Sequence, residues 1–256
     1  MKQLILIGCL ALYFISPAQR YEIGVGVGGA NYLGDLSPRL VAKNTRESAG
    51  IFLKKNMTQY WAFRLGYTYA KIMGSDDAVY PQNLRNLSFY NQLHEFAAIF
   101  EFNFKPYAIG NLPNKETFYV MHGIAFTLHN PKADYKGNTY DLRSLKTEGK
   151  SYLPFTIAIP FGMGYKINMN KTWIVSPEIG MRMTFTDYLD DVSGVYPNIN
   201  GMPTIAAHLS DRSVERSDVP LSSLNKQRGD VNPIDWYMVA GIHLSYRIKP
   251  SPCYHF

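Results

Sequence analysis

Cysteine is nearly absent: the 256 residues include two, Cys9 and Cys253. Cys9 lies in a leader expected to be removed, which leaves Cys253 alone. No disulfide can then staple the mature chain, and stability must come from burial or from a surrounding membrane. Past the N-terminus no apolar run approaches the ~18 residues of a helical span, so a helical membrane protein is excluded. Charge is also sparse, at 18% of residues, and the net +6 is spread along the chain. Without a basic block there is no electrostatic footprint for nucleic acid.

Aromatic residues are abundant, at 14% with 19 Tyr and 14 Phe, while mean hydropathy is slightly negative at −0.18. Many aromatics without a long apolar run is the composition of membrane strands, in which every second residue turns away from lipid. The N-terminus fits export. Lys2 gives a short basic region, residues 4–15 are almost continuously apolar, and Ser16-Pro17-Ala18 supplies small residues before Gln19. Residues 1–18 are therefore expected to be a signal peptide, and 19–256 the mature domain. The Leu6-Ile7-Gly8-Cys9 run resembles a lipoprotein box, but a cut there would discard half of the apolar region.

The last segment is the clearest strand. Across residues 235–248, Trp236, Met238, Ala240, Ile242, Leu244, Tyr246 and Ile248 alternate with Asp235, Tyr237, Val239, Gly241, His243, Ser245 and Arg247. Trp236 to Tyr246 spans ~33 Å of strand, or ~25 Å across a bilayer at ~40° tilt. Residues 21–28, 61–70, 95–104, 155–166 and 172–185 repeat this pattern, and 48–54 and 117–128 do so more weakly, with His122 on the apolar side of the latter. The total is eight, the smallest closed barrel of this kind. Connections alternate in length. Residues 55–60 and 167–172 are tight and 105–116 is of middle length, whereas 31–47, 73–91, 129–152 and about 186–234 are long. The expected fold is thus an all-β, eight-stranded antiparallel transmembrane barrel in the outer membrane, contacting its lipids. Short turns and both termini would be periplasmic, and long loops external.

This register places Glu22, Arg64, Glu95, Glu101, Lys166, Glu178, Arg182 and Arg247 inside, where opposite charges should pair as a structural plug, with a proton or ion path as the lesser alternative. Trp61, Trp173, Trp236 and Tyr246 fall at strand ends, as interface aromatics do. Other motifs have ordinary explanations. Gly24 to Gly29 satisfies G-x-G-x-x-G, but a turn follows where a dinucleotide site needs a helix. Asp187, Asp190 and Asp191 beside Tyr188 could offer calcium oxygen ligands, though a solvated acidic turn is favoured. His208, Ser210 and Asp211 are contiguous, which is no indication of triad geometry. Arg228-Gly229-Asp230 spells an adhesion tripeptide of the kind chance supplies. No catalytic residue, metal or cofactor is expected.

Residues 21–36 (YEIGVGVGGANYLGDL), 159–166 (IPFGMGYK), 185–196 (FTDYLDDVSGVY) and 227–247 (QRGDVNPIDWYMVAGIHLSYR) together resemble the PorG-type outer-membrane proteins of Bacteroidetes. Those proteins are a barrel component of the type IX secretion system. The resemblance implies a non-enzymatic membrane component associated with a periplasmic ring of a lipoprotein and its partner protein. Paralogues without a secretion role are the alternative it leaves, as small barrels whose external loops bind or adhere. A membrane-embedded hydrolase or acyltransferase is a third reading, and it would need a catalytic cluster in the folded loops.

Overall fold

Period-two alternation becomes eight long strands in the computed structural model, which describes residues 20–79, 83–107, 114–224, 226–229 and 234–248. The expected leader at 1–18, Cys253 and Asp230 lie outside the described residues. The barrel strands are β1 (Arg20–Leu33), β2 (Arg46–Asn56), β3 (Trp61–Ser75), β4 (Ser88–Asn103) and β5 (Glu116–Leu128), then β8 (Phe155–Asn168), β9 (Trp173–Thr184) and β10 (Trp236–Ile248). Each pairs antiparallel with its neighbour, and β1 meets β10 from Tyr21↔Ile248 to Leu33↔Trp236, which closes the cylinder. Closure leaves no unpaired barrel edge, and this is how an all-β wall satisfies its backbone groups.

The tight turns share one chemistry. At residues 57–60 the Thr58 hydroxyl accepts the N–H groups of Tyr60 and Trp61 at 3.1 and 3.0 Å. At 169–172 the Asn170 side-chain oxygen accepts those of Thr172 and Trp173, both at 2.8 Å. Side-chain oxygens that bond the backbone two or three residues on are local turn formers. Both turns lie at one end of the barrel, with the connection between β4 and β5. The links 34–45, 76–87, 129–154 and 185–235 all lie at the other end.

Outward positions form an apolar belt: Val27, Ile51, Phe96, Ile124, Phe161, Ile242 and their neighbours are exposed. Inward positions are mostly glycine, small, polar or charged, with a few large apolar side chains such as Phe52, Ile99, Met121 and Ile174 among them. Where two inward glycines face each other across a seam, as at Gly28↔Gly241, an added Cβ on Gly28 would lie 2.1 Å from the Ala240 carbonyl oxygen. Trp61, Trp173 and Tyr246 sit at the short-turn end, where Trp173 packs edge-on to Tyr246 at 5.2 Å, and Trp236 sits at the opposite rim. His122 lies on the outer face, stacked on Phe100 at 6.1 Å.

Three strands outrun the expected bounds. β1 runs on to Leu33, so Asn31, Tyr32 and Leu33 are strand and not the turn expected after the glycine run. β3 continues to Ser75 and β4 begins at Ser88, so this hairpin stands above the rest of the wall. Its inward Ile72, Phe89 and Leu93 are buried in an apolar core at the long-loop end. A further hairpin, β6 (Pro131–Tyr135) with β7 (Asn138–Asp141), extends the sheet from β4 through Tyr90↔Lys132. It arises in residues 129–152, which read as loop in the sequence. Lys136 at φ 49° and Gly137 at φ 81° make its two-residue turn, the left-handed pair that matches strand twist.

Candidate functional site

The structure gathers the inward charges into one network. Glu101 is its hub, with its carboxylate 2.5 Å from Lys166 Nζ, 3.0 Å from Lys54 Nζ and 3.2 Å from Arg64 Nε. Arg64 reaches across the barrel to grip Glu178 with both terminal nitrogens, at 2.7 and 3.0 Å. Glu178 also accepts the Tyr119 hydroxyl at 2.5 Å. Glu95 takes Arg182 at 3.1 Å and the Tyr237 hydroxyl at 2.6 Å. Glu22 takes Arg247 at 3.3 Å and Asn56 at 3.0 Å. All four glutamates are 9% exposed or less, and carboxylates that deep persist only when paired and hydrogen-bonded.

The network takes in further residues beyond the eight expected charges: Lys54, Asn56, Tyr107, Tyr119, Tyr237 and His243. Lys54 was readable in principle: in the Lys54-Lys55 pair, alternation turns Lys54 inward while Lys55 sits outside over the Tyr21 ring at 5.8 Å. Tyr119, Tyr237 and His243 also occupy inward positions, but only cross-barrel distances tie them to carboxylates. Tyr107 comes from a connection with no periodicity to read.

Little space remains. A cavity of ≈ 50 Å³ lies among Arg64, Glu95, Glu178, Arg182 and His243, room for about three or four waters at ~10–15 Å³ each. At the short-turn end Tyr107 is fully buried, held by its hydroxyl on Asn168 at 3.1 Å and its N–H on the Gln59 carbonyl at 2.8 Å. At the long-loop end residues 185–229 fold over the mouth, with Leu189 and Val192 buried against Tyr32 and Ile72. Among the described residues, side chains thus occupy both ends of the lumen, and this cavity lies between them.

That cap corrects the reading of the acidic motif. Asp187 and Tyr188 are half-exposed, but Asp190 and Asp191 are each 1% exposed, so this is no solvated turn. Asp191, left-handed at φ 67°, accepts the hydroxyls of Tyr152 (2.6 Å) and Thr147. Arg228 crosses from the far side of the loop, bonding the Asp191 carbonyl at 2.5 Å, the Ser210 carbonyl at 3.0 Å and Glu148 at 2.9 Å. Packing thus buries Arg228 of the adhesion-like tripeptide, while Gly229 stays half-buried. Among the described residues no cluster of three or more His, Cys, Asp or Glu is placed to hold a metal.

His208, Ser210 and Asp211 do not converge on a triad. Asp211 caps a turn by accepting the Ser213 hydroxyl at 2.5 Å and the Ser222 N–H at 2.7 Å, while His208 stacks on Tyr135 at 5.8 Å.

Two buried cap groups have opposite pH signatures. Burial, only partly offset by Arg228 and two hydroxyls, pushes the Asp191 carboxyl up to about 6. Burial and the nearby Arg143 hold the His129 imidazole down at about 4. A raised acid binds its proton more tightly when folded, so Asp191 costs stability progressively as pH rises from about 4 to about 6. His129 stays neutral when folded and contributes stability over nearly the same window. Relative to the parent, Asp191→Asn should gain about 2 kcal/mol of cap stability on going from pH 4 to pH 6. Urea midpoints for cleavage of the 185–229 segment at the two pH values check this.

Among solved structures, the chain is similar to OprG of Pseudomonas aeruginosa, an outer-membrane protein, at 10% identity over 90% of this chain and 96% of that one, with a TM-score of 0.48. It is similar to the attachment invasion locus protein Ail of Yersinia pestis, solved with a heparin analogue, at 7% identity over 90% and 99%, with a TM-score of 0.41. Neisserial surface protein A is similar at 9% identity over 89% and 97%, with a TM-score of 0.40. No curated protein matches the sequence. The family described as "Domain of unknown function (DUF6089)" matches residues 1–207, most of the chain, and the protein belongs to that family.

Proposed function

We propose that this protein is a sealed, non-enzymatic barrel of the bacterial outer membrane that works as an anchored scaffold rather than as a pore. The observation that carries this reading is the combination of an exposed apolar belt with a lumen crossed by paired charges and covered at its long-loop end by residues 185–229. A wall whose outward side chains are apolar is costly in water and stable in lipid. Trp61, Trp173 and Tyr246 would then mark one membrane interface and Trp236 the other. With the leader at 1–18 directing export, the short turns and both chain ends face the periplasm, and the cap faces outward.

The membrane reading has a direct test. Ile242 is 56% exposed in the middle of β10, and Ile242→Arg should lower the stability of vesicle-refolded protein by about 2–4 kcal/mol. Urea titration of the refolded barrel measures it. A soluble barrel would tolerate the exposed arginine, so an unchanged midpoint contradicts the assignment.

The finer role follows from the sequence resemblance, which supports a component of the type IX secretion machinery that anchors a periplasmic ring lipoprotein and its partner. The ring would dock at the short-turn face. In intact cells, crosslinking a tagged chain should recover those ring proteins, and a deletion strain should fail to secrete. Intact secretion with no ring protein recovered would remove this role. A second reading, external binding or adhesion, is favoured by the ordered cap and its exposed apolar Leu153, Val195 and Val219. In that case the crosslinks would map to the cap and to surface partners.

A further inference from the structure

Tyr32, at the end of β1, is fully buried, and its hydroxyl lies 2.7 Å from Asp190 Oδ2 and 2.5 Å from Asp235 Oδ1. The two aspartates come from opposite ends of the cap segment, and each is 1% exposed. A tyrosine hydroxyl carries one proton, so it can donate to one carboxylate only. The second short contact then requires a proton on the other carboxyl, donated to the tyrosine oxygen. The remaining carboxyl oxygens locate that proton. Asp190 Oδ1 accepts the Val192 N–H and Asp235 Oδ2 accepts the Leu189 N–H, both at 2.9 Å. Those oxygens already face donors, so the extra proton belongs on an oxygen that faces Tyr32.

We propose that this Asp190–Tyr32–Asp235 junction is a proton latch, in which one carboxyl proton ties both ends of the cap segment to the barrel wall and its loss releases the cap.

The surrounding charges favour retention of the proton. Asp35 from the β1–β2 connection and Asp187 from the cap segment face the junction with further negative charge. The facing cation is Arg85, from the connection between β3 and β4, but it is engaged by Asp76 at 2.6 Å and by the Asp35 and Arg228 carbonyls. Arg228 itself points to Glu148 and Asp191. Burial and mutual repulsion both push this carboxyl pair up. The backbone shows what the latch restrains: Asp235 N–H bonds Thr186 O at 2.9 Å and Thr184 Oγ1 bonds Asp235 O at 2.7 Å, so the two ends of the segment are clamped beside the junction.

The closed state holds one proton that the open state releases, because an exposed aspartate ionises near its ordinary value. The population of the open state should therefore rise about tenfold per pH unit. The window from pH 7 to pH 9 lies above the Asp191 and His129 transitions.

The test is limited proteolysis of the full chain refolded in vesicles, with cleavage within 185–229 measured from pH 7 to pH 9. Rates are normalised to an unstructured peptide cleaved by the same protease. The parent should show the tenfold-per-unit rise. Asp190→Asn supplies an amide N–H in place of the acid proton, and its cleavage should be flat with pH. An infrared carbonyl band of a protonated carboxyl at pH 7.5, absent in both Asp190→Asn and Asp235→Asn, is the second readout; it stands even if either variant loosens the cap. Flat cleavage in the parent, an equal slope in Asp190→Asn, or absence of the carboxyl band in the parent would each overturn the latch.

Discussion

Glu101→Ala should abolish folding of the barrel or cost it at least about 3–5 kcal/mol, the largest single-site effect expected in this chain. One carboxylate there neutralises Lys54, Arg64 and Lys166, all nearly inaccessible to water. Removing it strands buried cations, and an uncompensated buried charge costs far more than the net worth of the pair. Lys54 and Arg64 keep Glu22 and Glu178 as partners, while Lys166 keeps the Asn103 side-chain oxygen at 2.8 Å. The double change Glu101→Gln with Lys166→Met should therefore restore about 2 kcal/mol, a coupling of the size seen between groups of one network. Urea unfolding of vesicle-refolded protein, followed by heat-modifiable gel mobility, measures both. If the single variant refolds with an unchanged midpoint, the hub assignment is wrong.

Arg228→Ala should have the opposite distribution: a barrel that still folds, beneath a cap that has come undone. The guanidinium holds two backbone carbonyls and Glu148 at once, with Asp191 Oδ2 at 3.9 Å. Without it Glu148 retains, among the described residues, the backbone N–H groups of Ser193 and Gly194, and Asp191 loses the charge that moderates its burial. The expected cost to the cap is about 3–5 kcal/mol. Arg228→Lys should recover little, because a point charge cannot span three acceptors fixed in different directions. Protease should cut within 185–229 while gel mobility still reports a folded barrel. Loss of the barrel along with the cap would show that the two are one cooperative unit.

The wall was legible in the sequence because lipid-facing strands impose a strict period of two. The run Phe96, Ala98, Phe100, Phe102 against Glu95, Ala97, Ile99, Glu101 fixes both the strand and the side on which each glutamate lies. The alternation of tight and long connections fixes which ends are joined closely. The extension of β3 and β4 was hidden because their outward residues there, Lys71 and Gln92, are polar and resemble loop. What holds those strands is Ile72 and Leu93 packing into a core whose other half comes from distant segments. The cap was unreadable for the same reason. Asp190 looks solvated beside Asp191 and becomes buried only through Tyr32, 158 positions away. Pairing within the lumen could be anticipated from charge balance, but the choice of Glu101 as hub rests on distances across the barrel.

The most direct measurement of the central claim is solute retention by vesicles carrying the refolded chain. The protein should float with the lipid, and an entrapped small solute should stay inside, because paired charges and a packed cap fill the lumen. Protein left in the aqueous fraction, or rapid efflux from vesicles that carry it, would contradict a sealed membrane anchor.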